Sequence, residues 1–285
     1  MTLEEYLQQK LAKSTAKRYL QHIKNYQNSV QNPQNASYTQ IVNYIGELRK
    51  QYNNTDSIKT ILHGIKHYYS YLVVVEIRKD HPCKYLHLKD KRAKTVQLQD
   101  LFSQEELEQL MNRKERYKDL KIRNQIIISL LIYQGLTTGE IVRLWVKDVD
   151  MEKGLIHVLS SAKQNGRTLE LKSNQIMLFH QYITQIRPKL LKSTSPNLII
   201  TKTGKAENGE GINALIYSCK YLFPNKILNP VTIRQSVISN LLKQTNNLRK
   251  VQLFAGHKYP SATEKYKQNS IEELKNEILK YHPLN

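Results

Sequence analysis

From Tyr6 to Tyr69 the apolar residues return at three- and four-residue steps, a period that leaves little choice but helices. Tyr6, Leu7 and Leu11 mark one face, and Tyr19, Leu20, Ile23 and Tyr26 mark a second. Ser14 is placed to N-cap that second helix, with Lys17 and Arg18 near its start. The run from Asn28 to Ser37, rich in Asn, Gln and Ser with one proline, breaks the period as a loop. A third helix is predicted over Tyr38 to Arg49, with Ile41, Tyr44, Ile45 and Leu48 on one face. A fourth follows Asn53-Asn54, over Asp56 to Leu72, and Pro82 is expected to end the helical stretch. Residues 1–82 therefore read as a small helical bundle.

Residues 83–97 change character. Lys84, Lys89, Lys91, Arg92 and Lys94 crowd a stretch with little apolar period, which reads as a basic linker between two domains. The whole chain carries a formal net charge of +20, and Lys and Arg recur in most segments with no acidic block against them. A chain this basic repels itself unless a polyanion screens it, so nucleic acid is the expected partner. The linker then reads as a strap along a phosphate backbone, where each Lys or Arg releases counterions. A second domain, residues 98–285, begins with Ser103-Gln104-Glu105-Glu106, a capping box ahead of a helix. The apolar run Asn124 to Tyr133 is predicted as a core helix. Val146 to Asp150, Leu155 to Leu159 and Thr168 to Leu171 read as short strands, with Lys163 to Gly166 as a turn. The fold class is mostly α with a small β-sheet.

Several classes are set aside. Cys83 and Cys219 are too few for a disulfide framework, and a reducing, cytoplasmic setting is the default. The N-terminus opens on a charged helical pattern without the apolar core of a signal peptide, and Leu72-Val73-Val74-Val75 is far too short to span a bilayer. The histidines do not pair with carboxylates or cysteines at ligand spacing, so no metal site is expected.

The stretch with chemistry in it runs from Leu248 to Tyr266, LRKVQLFAGHKYPSATEKY. Gly256 permits a backbone turn that other residues resist, His257 follows it, and Tyr266 lies beyond a Pro-Ser-Ala-Thr run. A tyrosine hydroxyl titrates near pH ~10 and needs help to attack phosphorus. An imidazole and a guanidinium give that help, by moving protons and by holding the phosphate's charge.

This segment resembles the signature of the tyrosine recombinases, the phage-type integrases and Xer-like enzymes, in which a Leu-Gly-His turn precedes the nucleophile at this spacing. Asn229-Pro230-Val231-Thr232-Ile233-Arg234 resembles the family's Pro-His-x-Leu-Arg segment. Tyr133 to Ile141 resembles its Thr-Gly-Leu-Arg-x-x-Glu-Leu segment, and the hairpin Val158 to Leu171 resembles the one that carries a catalytic lysine. Ser14-Thr15 with Tyr19, and Ser57 to Tyr68, resemble the family's core-binding domain.

The resemblance implies a C-shaped clamp on double-stranded DNA, monomeric when free and tetrameric in the synapse, with a C-terminal helix, Ser270 to Tyr281, docking between protomers. It implies a site-specific recombinase that cuts and rejoins DNA through a 3′-phosphotyrosyl link, as on a mobile genetic element, and that needs no cofactor because the bond energy stays in that link. Tyr266 would be the nucleophile, Arg234 and His257 the phosphate ligands, and Lys163 the acid for the leaving oxygen. Lys66, Lys89, Lys91 and Arg92 are the expected DNA-backbone contacts. Two positions depart from the pattern: Thr137 stands where the family has its first catalytic arginine, and Val231 where it has a histidine. A threonine hydroxyl cannot replace a planar fork of charged donors. Arg167, beside Lys163 on the hairpin, is a candidate to compensate, whereas Arg143 lies six residues past Thr137 and points away on a helix. The alternative reading is an architectural or regulatory DNA-binding protein that synapses DNA without cutting it well.

Overall fold

The computed structural model describes residues 1–89 and 101–266. The chain divides into two compact units, Met1–Thr95 and Val96–Asn285.

Four helices build the first unit: α1 (Leu3–Lys10), α2 (Lys13–Ser29), α3 (Tyr38–Gln51) and α4 (Thr55–Val74). Their apolar stripes meet in one core, with Leu7, Ile23, Ile41, Ile58, Ile65 and Tyr69 among its buried members. Two tyrosine hydroxyls close the centre of this core. Tyr26 and Tyr69 share a hydrogen bond of 2.6 Å, and Tyr69 donates onward to the Pro33 carbonyl at 2.8 Å. That relay satisfies polar groups that burial would otherwise leave unpaired.

Two helix ends differ from the sequence expectation. The connection after α1 is so short that α2 starts at Lys13, with Ala12 at the cap position and no side-chain cap bond, which puts Ser14 inside the helix. The fourth helix stops well before Pro82. Glu76 takes a left-handed φ of 59°, and the amides of Ile77 and Arg78 fold back onto the Leu72 carbonyl, so the backbone itself ends the helix. Beyond it the chain returns to the bundle. Cys83 is buried, and Leu86 and Leu88 pack on the same core. The first part of the basic stretch is thus anchored by its few apolar residues.

The second unit opens with α5 (Gln104–Gln109), whose N-terminus carries the Ser103/Glu106 capping box read from the sequence. Next comes α6 (Lys121–Ile132), in which every residue from Ile126 to Ile132 is buried. A helix apolar on all sides must lie at the centre of its unit, and three later helices, Ser173–Gln181, Gly209–Tyr217 and Pro230–Thr245, all pack against it. After α7 (Thr138–Arg143) three strands form an antiparallel sheet in the order β1 (Val149–Asp150), β2 (Leu155–Val158), β3 (Arg167–Glu170). The first strand is shorter than expected, because Val146–Asp148 winds into a 3-10 turn whose Asp148 carboxylate accepts from the Trp145 amide at 2.8 Å. The register places Val158 opposite Arg167 at the turn end of the β2–β3 hairpin.

Helices α8 (Ser173–Gln181), α9 (Arg187–Leu190) and α10 (Gly209–Tyr217) complete the shell, with a single π-helical turn, Tyr182–Ile186, joining the first two. Last come α11 (Pro230–Thr245) and α12 (Leu248–Ala255), with a helical turn over residues 261–266. The expected docking helix Ser270 to Tyr281, the linker residues Lys91 and Arg92, and the boundary at residue 97 lie outside the described residues.

Candidate active site

Three backbone turns bring the site together. After α6 the chain reverses at Gly135, whose φ is 58°. The left-handed turn favours glycine, and an added Cβ there would also crowd Val237 of α11 at 3.2 Å. Asn229 caps α11 by accepting from the amides of Val231 and Thr232, with Pro230 in the first turn. Helix α12 ends at Gly256, φ 67°, the left-handed residue that closes many helices.

Arg234 stands where these turns converge. Its Nη1 donates to the Gly135 carbonyl and its Nη2 to the Ala255 carbonyl, each at 2.5 Å. The same Nη1 lies 3.8 Å from Oε2 of Glu140. One guanidinium therefore ties the ends of α6 and α12 to the start of α7. Burial lowers its affinity for a proton, the carboxylate of Glu140 restores part of it, and the neighbouring charge of Arg167 lowers it again.

Glu140 is the hub of this cluster. Its side chain is fully buried, and four donors surround it. Oε2 accepts from the Thr137 amide at 2.8 Å and from the Thr137 hydroxyl at 2.9 Å, completing a capping box on α7. Oε1 accepts from Nη1 of Arg167 at 2.5 Å. Burial would raise the Glu140 pKa, but the hydrogen bond and charge of Arg167, the Thr137 amide and Arg234 together hold it below the usual carboxylate value.

His257 follows Gly256, and its Nδ1 lies 2.8 Å from the hydroxyl of the fully buried Thr263. Burial, then the charges of Arg234 and Arg167, push its pKa down to about 4. The ring is neutral near pH 7, so it can accept a proton. Tyr266 lies on the helical turn that follows Pro260 and packs half-buried against Ile238, Leu242, Val251 and Ala255. Burial raises its pKa, and Arg234 offsets only part of that rise. Its hydroxyl keeps the proton at neutral pH and needs a base to become a nucleophile.

The hairpin turn is strapped onto the same place. Gln164 bridges to His257, and the Asn165 amide donates to the Gly256 carbonyl at 2.9 Å. Lys163 immediately precedes Gln164 and is exposed at the tip. Thus Arg234, His257, Tyr266 and Arg167 share one neighbourhood, with Lys163 on the strapped turn.

The remaining expected residues lie elsewhere. Val231 is 65 % exposed on the first turn of α11, and Arg143 is exposed at the end of α7. Lys66 and Lys89 belong to the first unit, where Lys66 donates from Nζ to the Lys84 carbonyl at 3.0 Å and Lys89 is exposed. Sequence reasoning gave no role to Glu140 or Gly135. The Thr-x-x-Glu spacing of 137 and 140 was the available signal for the first of them.

Residues 100–273 match the phage integrase family over the length of the second unit that holds these side chains. The chain belongs to the phage integrase family. A family relative, the tyrosine recombinase XerD of Oceanobacillus iheyensis, is 26 % identical over 271 residues, covering 93 % of this chain and 88 % of that protein. In three dimensions the chain is similar to the Tn1549 transposon integrase in complex with a circular intermediate DNA, at a TM-score of 0.67 and 14 % identity, covering 97 % of this chain and 99 % of that one. It is also similar to the XerH site-specific recombinase bound to a palindromic difH substrate, at a TM-score of 0.68 and 17 % identity, covering 90 % and 76 %. At these identities the two likenesses speak to the integrase fold. Among the described residues no helix is long and apolar enough to cross a membrane, and no group of three His, Cys, Asp or Glu is placed to hold a metal ion.

Proposed function

We propose that this integrase-family protein is a site-specific DNA recombinase whose nucleophile is Tyr266. The Tyr266 oxygen attacks a DNA phosphate, the bond to the 5′ oxygen breaks, and a 3′-phosphotyrosyl link forms. Neutral His257 takes or steers the tyrosine proton, Arg234 holds the non-bridging oxygens, and Lys163 protonates the leaving 5′ oxygen. A second 5′-hydroxyl then reverses the step on a new strand, so the bond energy is kept in the phosphotyrosine and neither ATP nor a metal is consumed. Strand exchange of this kind joins four protomers on two duplexes, and the protein works where the DNA is, in the cytoplasm.

The observation that carries this reading is the lodging of Arg234 between the Gly135 and Ala255 carbonyls and Glu140, next to His257 and Tyr266. A guanidinium fixed by three chain segments is an electrostatic group aimed before the reaction starts, the arrangement that stabilises developing phosphate charge most. We assign residues 1–82 to a core-binding domain, 83–97 to the linker and 98–285 to the catalytic domain. Lys66, Lys89, Lys91 and Arg92 are assigned to the DNA backbone; Lys66 would leave the Lys84 carbonyl to reach it.

The test is a nicked suicide duplex carrying a site selected from random duplexes by binding to the protein. A covalent adduct on a denaturing gel that vanishes in Tyr266→Phe is the expected result. Tight binding to that site with no adduct would leave a DNA-binding scaffold and sink the recombinase reading.

A further inference from the structure

The side chain of Arg167 is 94 % buried, only 6 % of it exposed, yet its hydrogen bonding is half complete. Nη1 is spent on Glu140, while Nε and Nη2 have no hydrogen-bond partner among the described residues. Those two nitrogens form one edge of the guanidinium, and two parallel N–H bonds from such an edge fit two oxygens of a phosphate. Charge points the same way. Two buried arginines, 167 and 234, flank one buried carboxylate, Glu140, which leaves one positive charge without a counter-ion. A buried, uncompensated cation with unmet donors costs stability that an anion would return.

The position of Arg167 is fixed by its neighbours. At Gly256 an added Cβ would lie 2.6 Å from Nη1 of Arg167, so the turn that carries His257 runs directly over this guanidinium. The positive charge of Arg167 contributes to the lowered pKa of His257 and of Arg234. Arg167 also lines a cavity of about 430 Å³ with Arg249, His257 and Lys258, a wall rich in positive charge. Thr137, in contrast, spends its hydroxyl on Glu140.

We propose that the Nε/Nη2 edge of Arg167 binds the non-bridging oxygens of the DNA phosphate attacked by Tyr266, in place of an arginine at position 137. This rests on the recombinase reading for the identity of the phosphate, but not for the existence of an oxyanion site. Glu140 then acts as a positioning residue, orienting two guanidiniums with one carboxylate. Because both nitrogens are shut off from water in the free protein, the anion must displace what covers them, and binding is coupled to that movement.

Two arms test it on the full chain. The first titrates sodium tungstate, a tetrahedral oxyanion, calorimetrically into the protein and into Arg167→Lys, which keeps the charge beside Glu140 but lacks the fork. Saturable binding weakened about 10-fold or more by the lysine is expected, since a point charge replaces two aligned bonds. No saturable binding, or equal binding by both proteins, overturns the proposal whatever Tyr266 does. The second arm uses the suicide duplex with either a phosphate or a neutral methylphosphonate at the cleavage position. Arg167→Lys is expected to slow adduct formation on phosphate by roughly 10²-fold or more, the loss typical of one charge-stabilising donor. The methylphosphonate, which needs less neutralisation, restores most of that loss, and so does Thr137→Arg in the same background. Equal slowing on both duplexes marks a structural role and overturns the proposal. Absence of any wild-type adduct sinks the recombinase reading instead, and leaves the tungstate arm to decide on Arg167.

Discussion

Glu140→Gln is the sharpest perturbation of the site, because it changes charge and leaves shape nearly alone. The carboxylate accepts from the Thr137 amide and hydroxyl on one oxygen and from Arg167 on the other, with Arg234 3.8 Å away. Glutamine has one acceptor and one donor end. If its oxygen stays on Thr137, its NH2 faces Nη1 of Arg167, donor against donor. If it flips, the capping box is lost. Either way two buried guanidiniums lose their counter-ion. Removing one partner of a buried pair costs about 3–5 kcal/mol, against about 1 kcal/mol for a cap alone.

Trp145, the chain's one tryptophan, lies two residues beyond α7, so its fluorescence reports unfolding of the second unit. With a urea slope of about 2–3 kcal/mol/M, the midpoint should fall by roughly 1.5 M. The double variant Glu140→Gln/Arg167→Gln removes both charges of the short pair and is expected to recover more than about 1 kcal/mol of the loss. A single-variant loss under about 1 kcal/mol, or strict additivity in the double variant, would refute the shared-carboxylate argument.

Three further outcomes are expected. Gly256→Ala places a Cβ 2.9 Å from the Asn165 carbonyl and 2.6 Å from Arg167, at a φ of 67°. It should cost about 2–3 kcal/mol in urea melts, left-handed strain included, and a neutral effect would show that the hairpin strap yields freely. The His257 pKa, lowered from 6.5 to about 4, makes the folded state bind fewer protons than the unfolded one. Stability should therefore be complete above pH 6.5 and be lost as pH falls to about 4; His257→Gln should flatten that slope in Trp145-monitored melts, and an unchanged slope would exclude His257 as its source. Thr263→Val removes the hydroxyl 2.8 Å from Nδ1 of His257. Adduct formation should slow about 10-fold or more as the ring loses its orienting partner, and a wild-type rate would show that packing alone aims it.

The helical bundle and the core helix α6 were legible because burial imposes a period, and the sequence shows that period openly. The ends of helices were harder to read. Ser14 has the chemistry of a cap, but the short connection after α1 moves the start of α2 ahead of it. Pro82 looked like a stop, while the stop is a backbone turn at Glu76, a residue with no propensity to announce one. In the site, Tyr266 and Arg234 stood out by spacing to His257 and Pro230. The shared use of Glu140 did not, since it depends on residues 137, 167 and 234 meeting in space. Likewise the free edge of Arg167 is a fact of geometry: the sequence offered a spare arginine, and only the fold says which of its nitrogens are already occupied.

The two carbonyls that hold Arg234 belong to residues 99 and 21 positions away from it. A chain emerging from the ribosome has made the first of these segments long before the second. Until residue 255 is released, Arg234 lacks one of its two anchors, and Tyr266 comes later still. On the proposed assignment of Tyr266, fragments truncated before residue 255 lack both the nucleophile and one anchor of Arg234, and are expected to form no adduct on the suicide duplex.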